Sequence, residues 1–180
     1  MSMNISEDME MNGELLVFIH PVGCEKPFLF YQGKNRITNN ARKHLLAMVT
    51  GDPNHPDPNP NKIVSFKVGE GGVGQVPDGT ELDLWSPLAP DDLNFPYLDS
   101  VTYTFSDNPL DMVAQYAFEV AAGDLDGKTI SEAGLFCERN WDGTVASTNH
   151  MFNIKSFPPV TKTTSFALVF LWRINFSGAC

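Results

Sequence analysis

Alternation of apolar and polar positions dominates the second half of this chain. Val101, Tyr103 and Phe105 alternate with Thr102, Thr104 and Ser106, the mark of a half-buried strand. Met112, Ala114, Tyr116, Phe118 and Val120 line one face of a longer strand, with Gln115 and Glu119 on the other. Ile130 to Glu138 and Met151 to Phe157 read as further strands, the second ended by Pro158-Pro159. Gly123 to Lys128 and Asn140 to Gly143 read as turns. The last run places Phe166, Leu168, Phe170, Trp172, Ile174 and Phe176 on one face. Its other face begins apolar, with Ala167, Val169 and Leu171, and turns polar at Arg173 and Asn175. A strand apolar on both faces has to be covered on both. An opposing sheet supplies one cover; a helix, a loop or a neighbouring subunit supplies the other, and the pattern leaves that choice open.

The first half is less regular. Met1 to Gly13 is polar and acidic and is expected to be mobile until a partner orders it. Leu15 to Ile19 and Phe28 to Tyr31 read as short strands, the second ended by Gly33. Thr38 or Asn39 can cap a helix whose apolar face is Ala41, Leu45, Leu46, Met48 and Val49, with Gly51 as its stop. Asp52 to Asn61 holds four prolines and reads as a surface loop. Ile63 to Val68 is a strand, Gly69 to Gly79 a glycine-rich turn region, and Glu81 to Tyr97 is broken by Pro87, Pro90 and Pro96. The expected fold is mainly β: an antiparallel β-sandwich with one short helix and long proline- and glycine-rich loops. Residues 1–34 are expected to be an N-terminal arm with leading strands that serves as a docking segment, and residues 35–180 the core domain.

Composition narrows the functions. The formal charge is −10, with no basic stripe to neutralise phosphates, which argues against direct contact with nucleic acid or an anionic membrane. Charged residues make up 19% of the chain, below the usual quarter or so, leaving more neutral surface for protein contacts. Cys24, Cys137 and Cys180 show no zinc spacing, and an odd, scattered set suits a reducing compartment. No segment has the pattern of a signal peptide or the length of a membrane span, so a soluble product of the cytosol is expected.

Candidate chemistry is sparse. Gly69-Glu70-Gly71-Gly72-Val73-Gly74 matches a dinucleotide-binding turn, but Pro77, Asp78 and Gly79 follow where a helix would have to start, so a tight turn is the better reading. Asp124 and Asp126 before Gly127 resemble part of a calcium loop whose other ligand positions hold Ala122 and Ala133. His20, His44, His55 and His150 share no ligating spacing, and the prolines between Asp52, His55 and Asp57 oppose a metal there. There is no nucleophile elbow, and Cys137 in its apolar run reads as a buried thiol. Of the tryptophans, Trp172 belongs to the core face, while Trp85 and Trp141 lie in irregular segments.

The order of several segments resembles a family of tailed-bacteriophage virion proteins found among tail, baseplate, neck and fibre-associated components. The segments are Thr38-Asn39-Asn40-Ala41-Arg42, then Phe66-Lys67-Val68-Gly69-Glu70-Gly71, then Gly127-Lys128-Thr129-Ile130-Ser131-Glu132-Ala133-Gly134-Leu135-Phe136. Phe152 to Thr163, with its Phe157-Pro158-Pro159, and Trp172-Arg173-Ile174-Asn175-Phe176 complete the set, which spans roughly Asn35 to Phe176. The arm before Asn35 and the Glu81 to Tyr97 segment depart from it. The resemblance implies a structural subunit of the particle, made in the host cytoplasm and assembled with copies of itself and other virion proteins. It carries no catalytic residues, so no enzyme activity, cofactor or metal is expected. Ala167, Val169, Leu171, Trp85 and Trp141 are the interface candidates, with the proline-rich loop and the arm. The rivals are a module binding a host-surface glycan through Trp85, Tyr97 and Trp141, and a cell-wall hydrolase, which would need paired carboxylates. Glu132, inside an apolar strand, is either an edge charge or a buried group paired with Lys155 or Lys162.

Overall fold

The computed structural model describes residues 9–39, 41–43, 63–81, 83–88, 100–104, 113–139 and 145–178. Its strands are β1 (Met9–Pro21), β2 (Phe28–Ile37), β3 (Ile63–Gly69), β4 (Ser100–Thr104), β5 (Val113–Val120), β6 (Thr129–Arg139), β7 (Val145–Thr161) and β8 (Phe166–Gly178). They form one antiparallel sheet in the order β3-β6-β7-β2-β1-β8-β5-β4. β2 is where the sheet bends. It pairs with β1 from Phe28 to Asn35 but meets β7 only through Arg36 and Ile37. The sheet therefore curls into a half-barrel, and one continuous sheet supplies both layers of a sandwich-like fold.

Aromatic contacts record the closure. Phe66, on edge strand β3, stacks on Phe118 of β5, next to the opposite edge. Phe118 also stacks on Phe170 and Trp172 of β8, with ring centroids 4.6 and 5.6 Å away. Around them Leu15, Val17, Val68, Ile130, Leu135, Leu168 and Ile174 are fully buried. The indole N–H of buried Trp172 also has a partner. With the Asn35 amide turned to match its neighbours, Trp172 Nε1 donates to its oxygen at 2.7 Å and Asn153 Nδ2 donates to the same oxygen at 3.0 Å. Asn35 Nδ2 in turn donates to the Gly13 carbonyl at 3.0 Å, and its amide occupies the space a Cβ at Gly13 would need.

Several boundaries differ from the sequence reading. Met9 to Asn12, expected in a mobile arm, are paired with Asn175 to Gly178, because β8 is long enough to offer them a ladder. β1 and β2 lie in the middle of the strand order, so residues from both expected divisions share one sheet. β2 runs on through Gly33, where the missing side chain makes room for the Tyr31 ring. β7 runs on through Pro158-Pro159, since a register shift opposite Ile130–Glu132 leaves both prolines outside the ladder, where a missing N–H costs nothing. The helix begins after Thr38. Its hydroxyl accepts from Ala41 N at 3.2 Å and its carbonyl from Arg42 N at 3.2 Å. The rest of that helix from residue 44, the loop 52–61, residues 89–99 and Trp141 lie outside the described residues.

Cys137 is buried, and desolvation pushes its thiol up to about 12 from 9.0. A Cys24→Ser, Cys180→Ser variant should therefore resist a thiol reagent at pH 8 while folded and react fully once denatured. The same shift has a stability consequence. The unfolded thiol ionises from pH 9.0 upward while the folded one keeps its proton until about 12, so stability present below pH 9.0 falls as pH rises through that window. Prompt labelling of the native variant would show that Cys137 is accessible.

Candidate interaction surface

The glycine-rich turn is part of a strap. From Gly69 the chain crosses the outer side of β6, β7 and the end of β2. Ser131 Oγ donates to Gly71 O at 2.6 Å, Ser156 Oγ to Gln75 O at 2.9 Å, Arg36 to Asp78 O at 3.0 Å, and Asn39 N to Gly79 O at 2.7 Å. The returning segment, 83–88, bonds back to β3: Glu70 N donates to Ser86 O and Leu88 N to Val68 O. Lys67 Nζ meets both Asp83 oxygens at 3.0 Å. Leu84 and half-buried Trp85 close a second small core over Phe136, Met151 and Ile154.

Glu132 pins the strap. It is fully buried, and its carboxylate accepts from three backbone amides: Gly71 at 3.1 Å, Ser86 at 2.7 Å and Trp85 at 3.0 Å. Its partners are thus not the lysines considered from the sequence. Lys155 Nζ lies 5.9 Å above the Tyr31 ring. Lys162, itself buried, donates to the carbonyls of Thr163 and Phe166 at 3.1 and 2.6 Å. Burial pushes the Lys162 ammonium down, partly offset by Asp124, Asp126 and Glu119. The Gly71 amide of the turn is aimed at an anion, as in a phosphate-binding turn, but that anion is the chain's own Glu132. Among the described residues no helix follows the turn, and Gly72 and Gly74 adopt φ of 76° and 74°. Asp124 and Asp126 alternate with Leu125 and Gly127, both at positive φ, in a turn whose Gly127 N–H donates to Lys162 O. Among the described residues no cluster of His, Cys, Asp and Glu suits a metal.

The strap explains why β6 is buried from Ser131 to Cys137: the curled core covers one face, the strap the other. β8 has the same two-faced pattern with a different outcome. Its inner residues Leu168, Phe170, Trp172 and Ile174 are wholly buried, while outer-face Val169 and Leu171 are only half-buried. Register extends this outer face into rows. One row runs Leu29, Phe18, Val169, Glu119 across β2, β1, β8 and β5; the next runs Gln32, Leu16, Leu171, Ala117. A polar row follows: Lys34, Glu14, Arg173, Gln115. There Gln32 Nε2 donates to Glu14 at 2.6 Å, and Arg173 sits 4.0 Å from the other Glu14 oxygen. Leu29 is 48% exposed, and Phe28 and Val22 at the neighbouring hairpin tip are 52% and 66% exposed.

Among the sequence candidates, Val169 and Leu171 come together at the centre of this face. Ala167 shares it but is buried at 5% exposure, and Trp85 is committed to the strap's small core. Phe18 and Leu29 were missed, because only register places β1 beside β8 and β2 beside β1; Leu16, on the same face, is buried at 7% exposure. No family model, no curated protein and no solved structure shows a significant match to the chain.

Proposed function

We propose that this chain is a structural subunit of a tailed-phage particle, in the tail, baseplate, neck or fibre attachment, acting through assembly with its own copies and other virion proteins. The observation that carries the assembly part is the outer face of β1 and β8. Its two largely apolar rows keep Phe18, Val169 and Leu171 only half-buried, while the same pattern on β6 is buried and closed by the strap. Apolar faces of this kind, rimmed by polar side chains, mark contacts with other proteins. The phage part rests on the ordered segments described from the sequence. In the fold those segments hold structural posts: Thr38 caps, Gly71 and Glu132 fasten the strap, Pro158-Pro159 sit in a bulge, and Trp172 fills the core. Antibody-gold labelling of particles from the phage encoding this chain tests the reading. Label at the neck, tail, baseplate or fibres is expected, and unlabelled particles alongside abundant free chain would refute it.

A further inference from the structure

Taking the assembly reading as its basis, we infer that the outer face of β1 and β8 binds a second copy of this chain, face to face, about a two-fold axis lying between and parallel to these strands. The argument is register and charge. The axis stacks β1 of one copy over β8 of the other at the same level along the strands. Half-buried Phe18 then faces the other copy's Val169, and half-buried Leu171 lies over the row of its Leu16, which is itself buried at 7% exposure, since each couple shares a row. In the next row Glu14 faces Arg173 of the other copy, and Arg173 faces its Glu14. One operation thus matches the apolar centres of the rows on β1 and β8 and makes two ion pairs, while at the rim Leu29 meets Glu119 and Gln32 meets Ala117 of the other copy; this is the self-complementarity that an isologous contact requires. Sheets stacked with strands nearly aligned are an ordinary packing arrangement.

Two further observations favour a copy over an unrelated partner. The chain carries a net charge of −10, so copies repel across most of their surface. On this face, however, Glu14 and Glu119 are balanced by Lys34 and Arg173. Within one chain the Glu14–Arg173 pair is loose, at 4.0 Å with the side chains 29% and 43% exposed, which leaves the guanidinium able to reach across an interface. Two rows of side chains make a small contact, so affinity in the micromolar range is expected.

Sedimentation equilibrium of the full chain across the micromolar range should show a reversible monomer–dimer equilibrium. Glu14→Arg alone and Arg173→Glu alone each set like charges opposite one another and should weaken it by about tenfold or more. Mixed in equal amounts, the two variants should dimerise with each other. The first variant then carries a positive charge at both positions and the second a negative charge at both, so each cross-interface contact sets a guanidinium against a carboxylate. Both positions are on the surface, and thermal melts confirm that each variant is folded before mixing. A wild-type chain that stays monomeric, or a mixture no better than its components, overturns the inference. Gold-labelled particles with a monomeric chain would remove the copy contact and keep the assembly reading; a dimer with unlabelled particles would do the reverse.

Discussion

Replacing Glu132 by alanine should lower stability by about 3 kcal/mol, since three backbone amides lose the buried carboxylate that accepts from them. In a chain of this size that corresponds to a fall in melting temperature of about 10 °C. Hydrogen exchange gives the sharper reading: the amides of Gly71, Trp85 and Ser86 should lose protection, while the β1–β8 ladder keeps its own. Glu132→Gln should recover only part of the loss, because its amide group turns a donor toward donors. Gly71→Ala attacks the same clamp from the other side, since a Cβ there would stand 2.7 Å from the Glu132 carboxylate and 2.8 Å from Ser86 N. Its cost should therefore shrink in the Glu132→Ala background, as expected for residues acting as one unit. A loss well under about 1 kcal/mol for Glu132→Ala would mean that the strap is held mainly by its apolar contacts.

Truncating Phe118 to alanine should cost about 4 kcal/mol. The ring is 1% exposed and stacks on Phe66 from β3 and on Phe170 and Trp172 from β8, so its removal opens a cavity where the curled sheet closes. Phe118→Leu retains most of the volume and should cost about half as much or less. Urea unfolding of both variants measures the difference. Equal and small losses would show that the closure does not depend on this stack.

Local pattern made most strands legible. The inner face of β5, the buried face of β8 and the strand character of β6 follow from alternation, because side chains on a strand point to opposite sides in turn. Thr38 as a cap is also legible, since a hydroxyl just before an apolar helical face satisfies a free amide in the first turn. The extent of β1 and β7 was not, because a strand's length depends on what its partner offers. Met9 to Asn12 pair only because β8 extends to Gly178, and Pro158-Pro159 stay within β7 only because a bulge excuses them from the ladder.

The candidate surface divides in the same way. Alternation alone shows that Val169 and Leu171 need a cover, and it shows an acidic residue stranded in β6. Which cover each strand receives is a matter of non-local geometry. Tertiary structure lays the strap over β6, turns backbone amides toward Glu132, and leaves the outer face of β8 flanked by Leu16 and Phe18 of β1. The amino-acid sequence by itself determined the mainly β class, the faces of its strands and the need for two covers. Only the fold decided that the strap covers β6 while Val169 and Leu171 of β8 stay half-buried, because register and strand order depend on contacts between residues far apart in sequence.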